Sequence, residues 1–297
     1  MEASQPFITR FAPSPNGWLH LGHAYSALIG AKAAADAGGQ FLLRLEDIDI
    51  GRARAHFVDG IYQDLEWLGL SWPQPVMQQS HRFDVYETAL KRLREMDLVY
   101  PCWASRSDIH AAIADKPDWP RDPDGAPVYP GLYRDKAAAE VKRLMWEGAG
   151  YAWRLNMQKA LAVAAQKHDG PIDYEERGMG AAHRVSLDPA AFGDVVLARK
   201  DVPTSYHLAV VVDDAAQNIT QVTRGRDLTA ATAIHRLLQI LLDLPEPAYH
   251  HHALVRDVTG RRLSKQAGDG GFRDLRQQGL SRDAVMALLP SPFGTAS

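Results

Sequence analysis

The sequence predicts an α/β fold built on a parallel sheet and interrupted by a smaller inserted domain, and three observations predict it. Short β-prone runs alternate with stretches of helical length and period through residues 7–96. The alternation fails over 101–201, where Pro117, Pro120, Pro123, Pro127 and Pro130 crowd a polar segment. It resumes from Tyr206.

Residues 7–12 form a β-prone run that meets the breakers Pro13, Ser14, Pro15, Asn16 and Gly17, after which 19–37 turn apolar and alanine-rich. This reads as strand, loop, helix. Gly38 and Gly39 stop the helix, 41–45 alternate as a second strand, and 54–68 carry Phe57, Ile61, Leu65 and Leu68 near helical spacing. A third helix is expected over 83–96. Strands separated by helices of this length run parallel through right-handed crossovers, and their ligands gather beyond the carboxyl ends of the strands. Inside the interruption, β-like runs at 151–155, 183–187 and 195–198 surround a glycine-rich break at Gly178 and Gly180. Beyond Tyr206 a strand is expected at 208–212 and a helix over 229–242, striped by Ile234, Leu237, Leu238 and Leu241. The expected domains are therefore 1–100 joined to 202–297, with 101–201 inserted between them.

Among 297 residues, 46% are hydrophobic and 23% charged, which excludes a disordered or collagen-like chain. The formal charge of −3 provides no global positive field, so any contact with nucleic acid must use local patches. Cys102 is the single cysteine, which rules out an intramolecular disulfide and fits a reducing compartment. The first residues lack a basic n-region followed by an apolar h-region, and no segment approaches 18 uninterrupted apolar residues. A cytoplasmic protein without a membrane partner is expected.

Two segments carry chemistry. Residues 13–23, Pro-Ser-Pro-Asn-Gly-Trp-Leu-His-Leu-Gly-His, sit where the first strand hands over to a helix. Free backbone N–H groups and the positive end of the helix dipole favour an anion there. Gly22 lets a flat ligand approach, and His20 and His23 can donate to developing charge. The second segment is Arg262, Leu263, Ser264, Lys265 and Gln266, between Gly260 and Gly268, where a lysine on a loop can neutralise phosphate charge in a transition state.

In this combination and order the chain resembles the class I aminoacyl-tRNA synthetases of the glutamyl/glutaminyl group. His20-Leu21-Gly22-His23 matches the HIGH element and residues 262–266 match KMSKS, with Arg262 and Leu263 in place of its first Lys and Met. The likeness extends through Arg10-Phe11-Ala12-Pro13-Ser14-Pro15, Leu43-Arg44-Leu45-Glu46-Asp47-Ile48-Asp49, Tyr206-His207-Leu208-Ala209 with Val212-Asp213-Asp214, and Thr223-Arg224-Gly225-Arg226-Asp227-Leu228. Within the group it is similar to the short glutamyl-Q tRNA(Asp) branch, because the chain stops soon after Gln266, where longer members continue into an anticodon-binding domain.

The resemblance implies a Rossmann-like catalytic domain of the HIGH/KMSKS nucleotidylyl-transferase type, with an inserted acceptor-binding-like domain. It implies tRNA-independent activation of L-glutamate by ATP with Mg²⁺, then transfer to the queuosine base in the anticodon stem-loop of tRNA(Asp). A truncated glutamyl-tRNA synthetase and a catalytically silent tRNA-binding paralogue are the alternatives. By the resemblance, Arg10 holds the glutamate side-chain carboxylate, as Arg224 can. Glu46 pairs with the α-amino group, and Ser14 and Tyr206 supply neutral hydrogen bonds. Pro13, His20, Gly22, His23, Arg262, Leu263, Ser264, Lys265 and Gln266 surround ATP, with His20, His23 and Lys265 acting on the reacting phosphate.

Relatives hold zinc on a Cys-x-Cys pair and a Tyr-x-x-x-Cys pair. The matching positions here are Cys102, Ala104, Tyr129 and Tyr133, and an alanine supplies no ligand, so no zinc is expected. Trp103, Tyr129 and Tyr133 are expected to pack an apolar cluster instead. The run His250-His251-His252 is read as structural, because neighbouring residues of a strand point to opposite faces.

Overall fold

The computed structural model describes residues 6–178, 180–255, 272–290 and 292. Strand β1 (Ile8–Phe11) passes through the proline-rich loop into helix α1 (Leu21–Asp36), and β2 (Gln40–Leu45) returns parallel to β1. Helix α2 (Ala55–Trp67), the two-residue β3 (Met77–Gln78) beside β2, and α3 (Phe83–Glu95) follow. Next come β4 (Val99–Cys102), α4 (Arg106–Ala112), α5 (Ala138–Trp146), β5 (Ala152–Leu155), α6 (Met157–Lys167), β6 (Asp173–Glu176), β7 (His183–Ser186) and β8 (Val196–Ala198). Then come α7 (Tyr206–Ala216), β9 (Gln221–Gly225), α8 (Thr232–Leu242), β10 (Ala248–His252), α9 (Phe272–Gln277) and α10 (Arg282–Ala287).

The main sheet has the order β3-β2-β1-β9-β10-β6-β7, with every neighbouring pair parallel except the β6–β7 hairpin. The chain leaves β1 toward β2 on one side and reaches β9 on the other, so the crevice beyond β1 and β9 is where the topology switches direction and a ligand fits. A separate antiparallel sheet has the order β4-β5-β8. Strands β6 and β7 fall between β5 and β8 in sequence, yet they extend the main sheet, where Glu176 stands in register with Tyr249.

The expected strand at 208–212 is instead the middle of helix α7. Ser205 accepts the Leu208 N–H and caps the helix, and Leu208, Ala209, Val210, Val211 and Val212 are all buried, as are Asp213 and Asp214. A helix enclosed all round loses its polar stripe, and a five-residue apolar run then reads equally well as a buried strand. The helices expected over 83–96 and 229–242 form within a few residues of those bounds, the latter as α8. Its stripe of Ile234, Leu237, Leu238 and Leu241 packs with Leu90, Leu93 and Leu208 in one core, while Leu28, Ile61, Leu65 and Leu289 belong to a second.

Candidate active site beyond the parallel strands

The loop between β1 and α1 is held by Trp18, whose ring meets Phe57 edge-on at 5.1 Å and lies over Gly60 of α2. At its end His20 is extended, with φ −122° and ψ 175°, and caps α1. His20 Nδ1 accepts the Gly22 N–H at 3.1 Å, and His23 Nδ1 accepts the His20 N–H at 3.2 Å. Two histidines thereby form a reciprocal capping box, a role usually taken by Ser and Glu. Because both rings accept through Nδ1, each neutral imidazole carries its proton on Nε2. A Cβ on residue 22 would lie 2.9 Å from His20 Cε1, so the glycine is what lets the capping ring fold back over the first turn.

His20, Gly22 and His23 open onto a cleft of about 500 Å³ beyond the carboxyl ends of β1 and β9. Arg10, Pro13 and Ser14 reach it from β1 and its loop, Glu46 from the end of β2, Tyr206 from the first turn of α7, and Arg224 from β9. The described residues expected to act in the site thus line one cavity. Arg262, Leu263, Ser264, Lys265 and Gln266 lie outside the described residues.

The cations in and behind the cleft differ in their compensation. Arg10 presents Nε and Nη2 to the two carboxylate oxygens of Asp214, at 2.9 and 3.3 Å. Arg44, wholly buried, reaches Asp214 at 2.7 Å with Nη1 and Glu46 at 3.1 Å with Nη2. Burial disfavours the charge on Asp214, but Arg10 and Arg44 outweigh it and hold the carboxyl below its ordinary range. At Glu46 burial wins over both arginines and pushes the carboxyl up, so this carboxylate stands to gain from a further cation.

Among the described residues, Arg224, only 5% exposed, has neutral groups where a carboxylate would be expected. Its Nη1 donates to Tyr206 Oη at 3.2 Å and to His235 Nδ1 at 3.1 Å, Nη2 donates to Thr232 Oγ1 at 2.6 Å, and Nε donates to His251 Nε2 at 3.2 Å. Burial first, and then the charge of Arg224, holds His235 well below the ordinary histidine range and His251 at about 3, so both rings are neutral. Among the described residues four of the five guanidinium hydrogens are thereby used, and one Nη2–H and the Tyr206 hydroxyl remain to meet a ligand. A buried guanidinium without an acidic partner favours a ligand carboxylate.

Sequence reasoning missed Asp214 as the counter-ion of Arg10, and His235, Thr232 and His251 as the cradle of Arg224. Asp213 and Asp214 carried one signal, since two acids after an apolar run must find cations if the run is buried. His250, His251 and His252 alternate along β10 as expected, and only His251 turns toward Arg224. His251 thereby joins the cradle of Arg224.

At the zinc-like positions, Cys102 Sγ donates to Tyr129 Oη at 3.3 Å, and the same oxygen accepts the Tyr133 N–H at 3.0 Å. Tyr100, Cys102 and Tyr129 form a buried cluster joined by Ala104 and Tyr133, and Trp103 packs against Tyr133 with ring centres 5.6 Å apart. Ala104 presents only a methyl group here, so these four positions do not fit a tetrahedral zinc. Among the described residues no group of three or more His, Cys, Asp or Glu could hold a metal ion, and no helix is long and apolar enough to cross a membrane.

Residues 7–291 match the family described as tRNA synthetases class I (E and Q), catalytic domain. The chain is 46% identical to the glutamyl-Q tRNA(Asp) synthetase of Rhodobacter capsulatus over 285 residues, covering 95% of this chain and 99% of that protein. It is 39% identical to the protein of the same name from Nocardia farcinica, covering 96% of this chain and 84% of the relative. The crystal structure of glutamate-tRNA synthetase from Elizabethkingia anophelis superposes with a TM-score of 0.72 at 27% identity, over 89% of this chain and 54% of that one. The chain therefore spans about half the length of that solved synthetase. Parallel strands meeting at a cleft with a histidine-capped helix, and sequence likeness along nearly the whole chain, lead to one assignment: the chain belongs to the class I glutamyl and glutaminyl tRNA synthetase catalytic-domain family.

Proposed function

We propose that this protein activates L-glutamate with ATP in the absence of tRNA and then transfers the glutamyl group to the queuosine base of the anticodon stem-loop of tRNA(Asp). The observation that carries the reading is Arg224, a buried cation with neutral partners, facing the same cleft as the half-buried carboxylate of Glu46. A cation and an anion so disposed suit an amphoteric ligand with an acidic side chain. Arg224 and Arg10 take the side-chain carboxylate, Glu46 takes the α-ammonium, and Ser14 and Tyr206 complete the hydrogen bonds.

In the first step an oxygen of the α-carboxylate attacks the α-phosphorus of ATP, the bond to the β-phosphate oxygen breaks, and pyrophosphate leaves. No general base is needed, because the nucleophile is already ionised; positioning and charge neutralisation do the work. The Nε2–H groups of His20 and His23 and the N-terminus of α1 stabilise charge on the α-phosphate, with Gly22 and Pro13 shaping the approach. Lys265, with Arg262, Leu263, Ser264 and Gln266 around it, is assigned the neutralisation of the departing pyrophosphate. Magnesium supplies further neutralisation when carried on the triphosphate. In the second step the acceptor on queuosine attacks the acyl carbon, and AMP leaves.

The test is ATP–pyrophosphate exchange with each amino acid, with and without tRNA, followed by transfer of labelled glutamate to tRNA(Asp) containing or lacking queuosine. Glutamate-dependent exchange without tRNA, and label retained only on queuosine-containing tRNA(Asp) after release of the 3′ adenosine, are expected. Label leaving with the 3′ adenosine identifies a truncated glutamyl-tRNA synthetase. No exchange with any amino acid identifies a silent paralogue.

A further inference from the structure

His251 is the one member of the histidine run that reaches the cleft's cation, and it arrives with a carboxylate behind it. Glu176 Oε2 lies 2.7 Å from His251 Nδ1, while Oε1 accepts the His251 backbone N–H at 2.9 Å. Since Arg224 Nε can only donate, His251 Nε2 must accept, and its proton must sit on Nδ1, facing Glu176. The imidazole is fixed by Tyr249, stacked at 5.6 Å and 5°, and by Tyr174, edge-on at 5.4 Å. On the other side of the guanidinium, Arg224 Nη1 donates to His235 Nδ1, which puts the His235 proton on Nε2, 3.2 Å from His207 Nδ1.

We propose that Glu176 and His251, with His235 opposite, are positioning residues that orient Arg224 and set the preference for an acidic over an amide side chain. Glu176 fixes the tautomer of His251, as an outer carboxylate fixes a ligating histidine elsewhere. His251 then grips the guanidinium from behind through a neutral acceptor, so orientation is gained without cancelling the charge that meets the ligand. Arg10, by contrast, gives its Nε and Nη2 to Asp214. Glu176 lies on β6, in the inserted stretch, so that stretch contributes to amino-acid selection through the main sheet. This inference rests on the proposed role of Arg224 in holding glutamate.

The experiment measures pyrophosphate exchange with glutamate and with glutamine for the wild type, Glu176→Gln, His251→Leu, His251→Gln and the neighbouring control His250→Gln. Far-ultraviolet circular dichroism and thermal melting accompany each variant; Glu176→Gln is isosteric and tests the idea even if His251→Leu does not fold. Glu176→Gln and His251→Leu are expected to raise KM for glutamate on the order of tenfold and to narrow the glutamate:glutamine ratio of kcat/KM, with kcat and KM for ATP close to wild type. His251→Gln, which keeps an acceptor for Arg224 Nε, is expected to recover most of the loss, and His250→Gln to behave as wild type. Wild-type KM and selectivity in folded Glu176→Gln, or equal loss in His251→Gln and His251→Leu, overturns the positioning role while leaving the activity in place. A wild type that neither binds glutamate in calorimetry nor exchanges with it overturns the assigned role of Arg224, and this inference with it.

Discussion

Arg10, Arg44, Arg224, Glu46 and Asp214 lie in or against one cleft, and their compensation decides what each can do. Asp214 is shared by two arginines and is 6% exposed. Removing its charge strips Arg10 of the carboxylate that holds it and leaves Arg44 with Glu46, so Asp214→Asn is expected to cost about 3–5 kcal/mol, read as a lowered urea midpoint. Arg224 makes the opposite case, because its charge is stabilised by dipoles and reserved for a ligand. Arg224→Lys keeps the charge but loses the planar fork, and one ammonium cannot reach His251, His235 and Thr232 together. We expect a loss of about 2 kcal/mol, or roughly thirtyfold, in kcat/KM for glutamate in the exchange assay, with the urea midpoint moved much less than in Asp214→Asn.

Helix α1 is the element on which phosphate chemistry depends, and its start is shaped from both ends of the loop before it. His20 both caps the helix and lines the cleft, two roles that substitution can separate. His20→Ala is expected to lose about 1 kcal/mol of stability with the cap, and His20→Asn, whose amide oxygen can accept the same N–H, to recover it in thermal melts. Neither variant restores the Nε2–H, so pyrophosphate exchange should stay depressed in both; full activity in His20→Asn would show that capping alone matters. At the loop's other anchor, a Cβ on Gly60 would come within 2.4 Å of Trp18 Cζ3. Gly60→Ala is therefore expected to destabilise by about 1–3 kcal/mol through overpacking and, by displacing Trp18, to reduce exchange as well.

At the scale of the whole molecule, the buried histidines tie folding to pH. Burial, and then Arg224, lowers His207 to about 4 and His251 to about 3, and His235 lies well below its ordinary value. In the unfolded chain these imidazoles return to about 6.5 and bind protons that the folded form excludes. Stability is then complete above the unfolded value and is lost as pH falls toward the folded values. Between pH 7.5 and 6.0 each such imidazole removes about 0.8 kcal/mol, so urea midpoints should fall across that interval by the equivalent of about 2 kcal/mol for the three together. Asp64 acts with the opposite sign, since burial, only partly offset by Arg276 and Arg273, raises it to about 6, so its contribution favours the folded state as pH falls below that value. A midpoint that is flat from pH 7.5 to 6.0 would show that the three rings are charged or exposed in the folded protein.

The alternation of strands and helices, the breaker cluster before α1 and the spacing of His20 and His23 determined the parallel sheet and the place of the cleft, because period and turn chemistry are local properties of the chain. Local likeness also pointed to Arg10, Ser14, Glu46, Tyr206 and Arg224, all of which line the cleft. The helical state of 206–216 was not legible, since burial on every side erases the pattern that tells a helix from a strand. Nor was the compensation of charge: Asp214 stands 204 residues from Arg10, and Glu176 stands 75 from His251. Which cation meets a carboxylate and which meets neutral groups depends on distances of a few ångströms between segments far apart in sequence, and only the folding of the sheet brings those segments together.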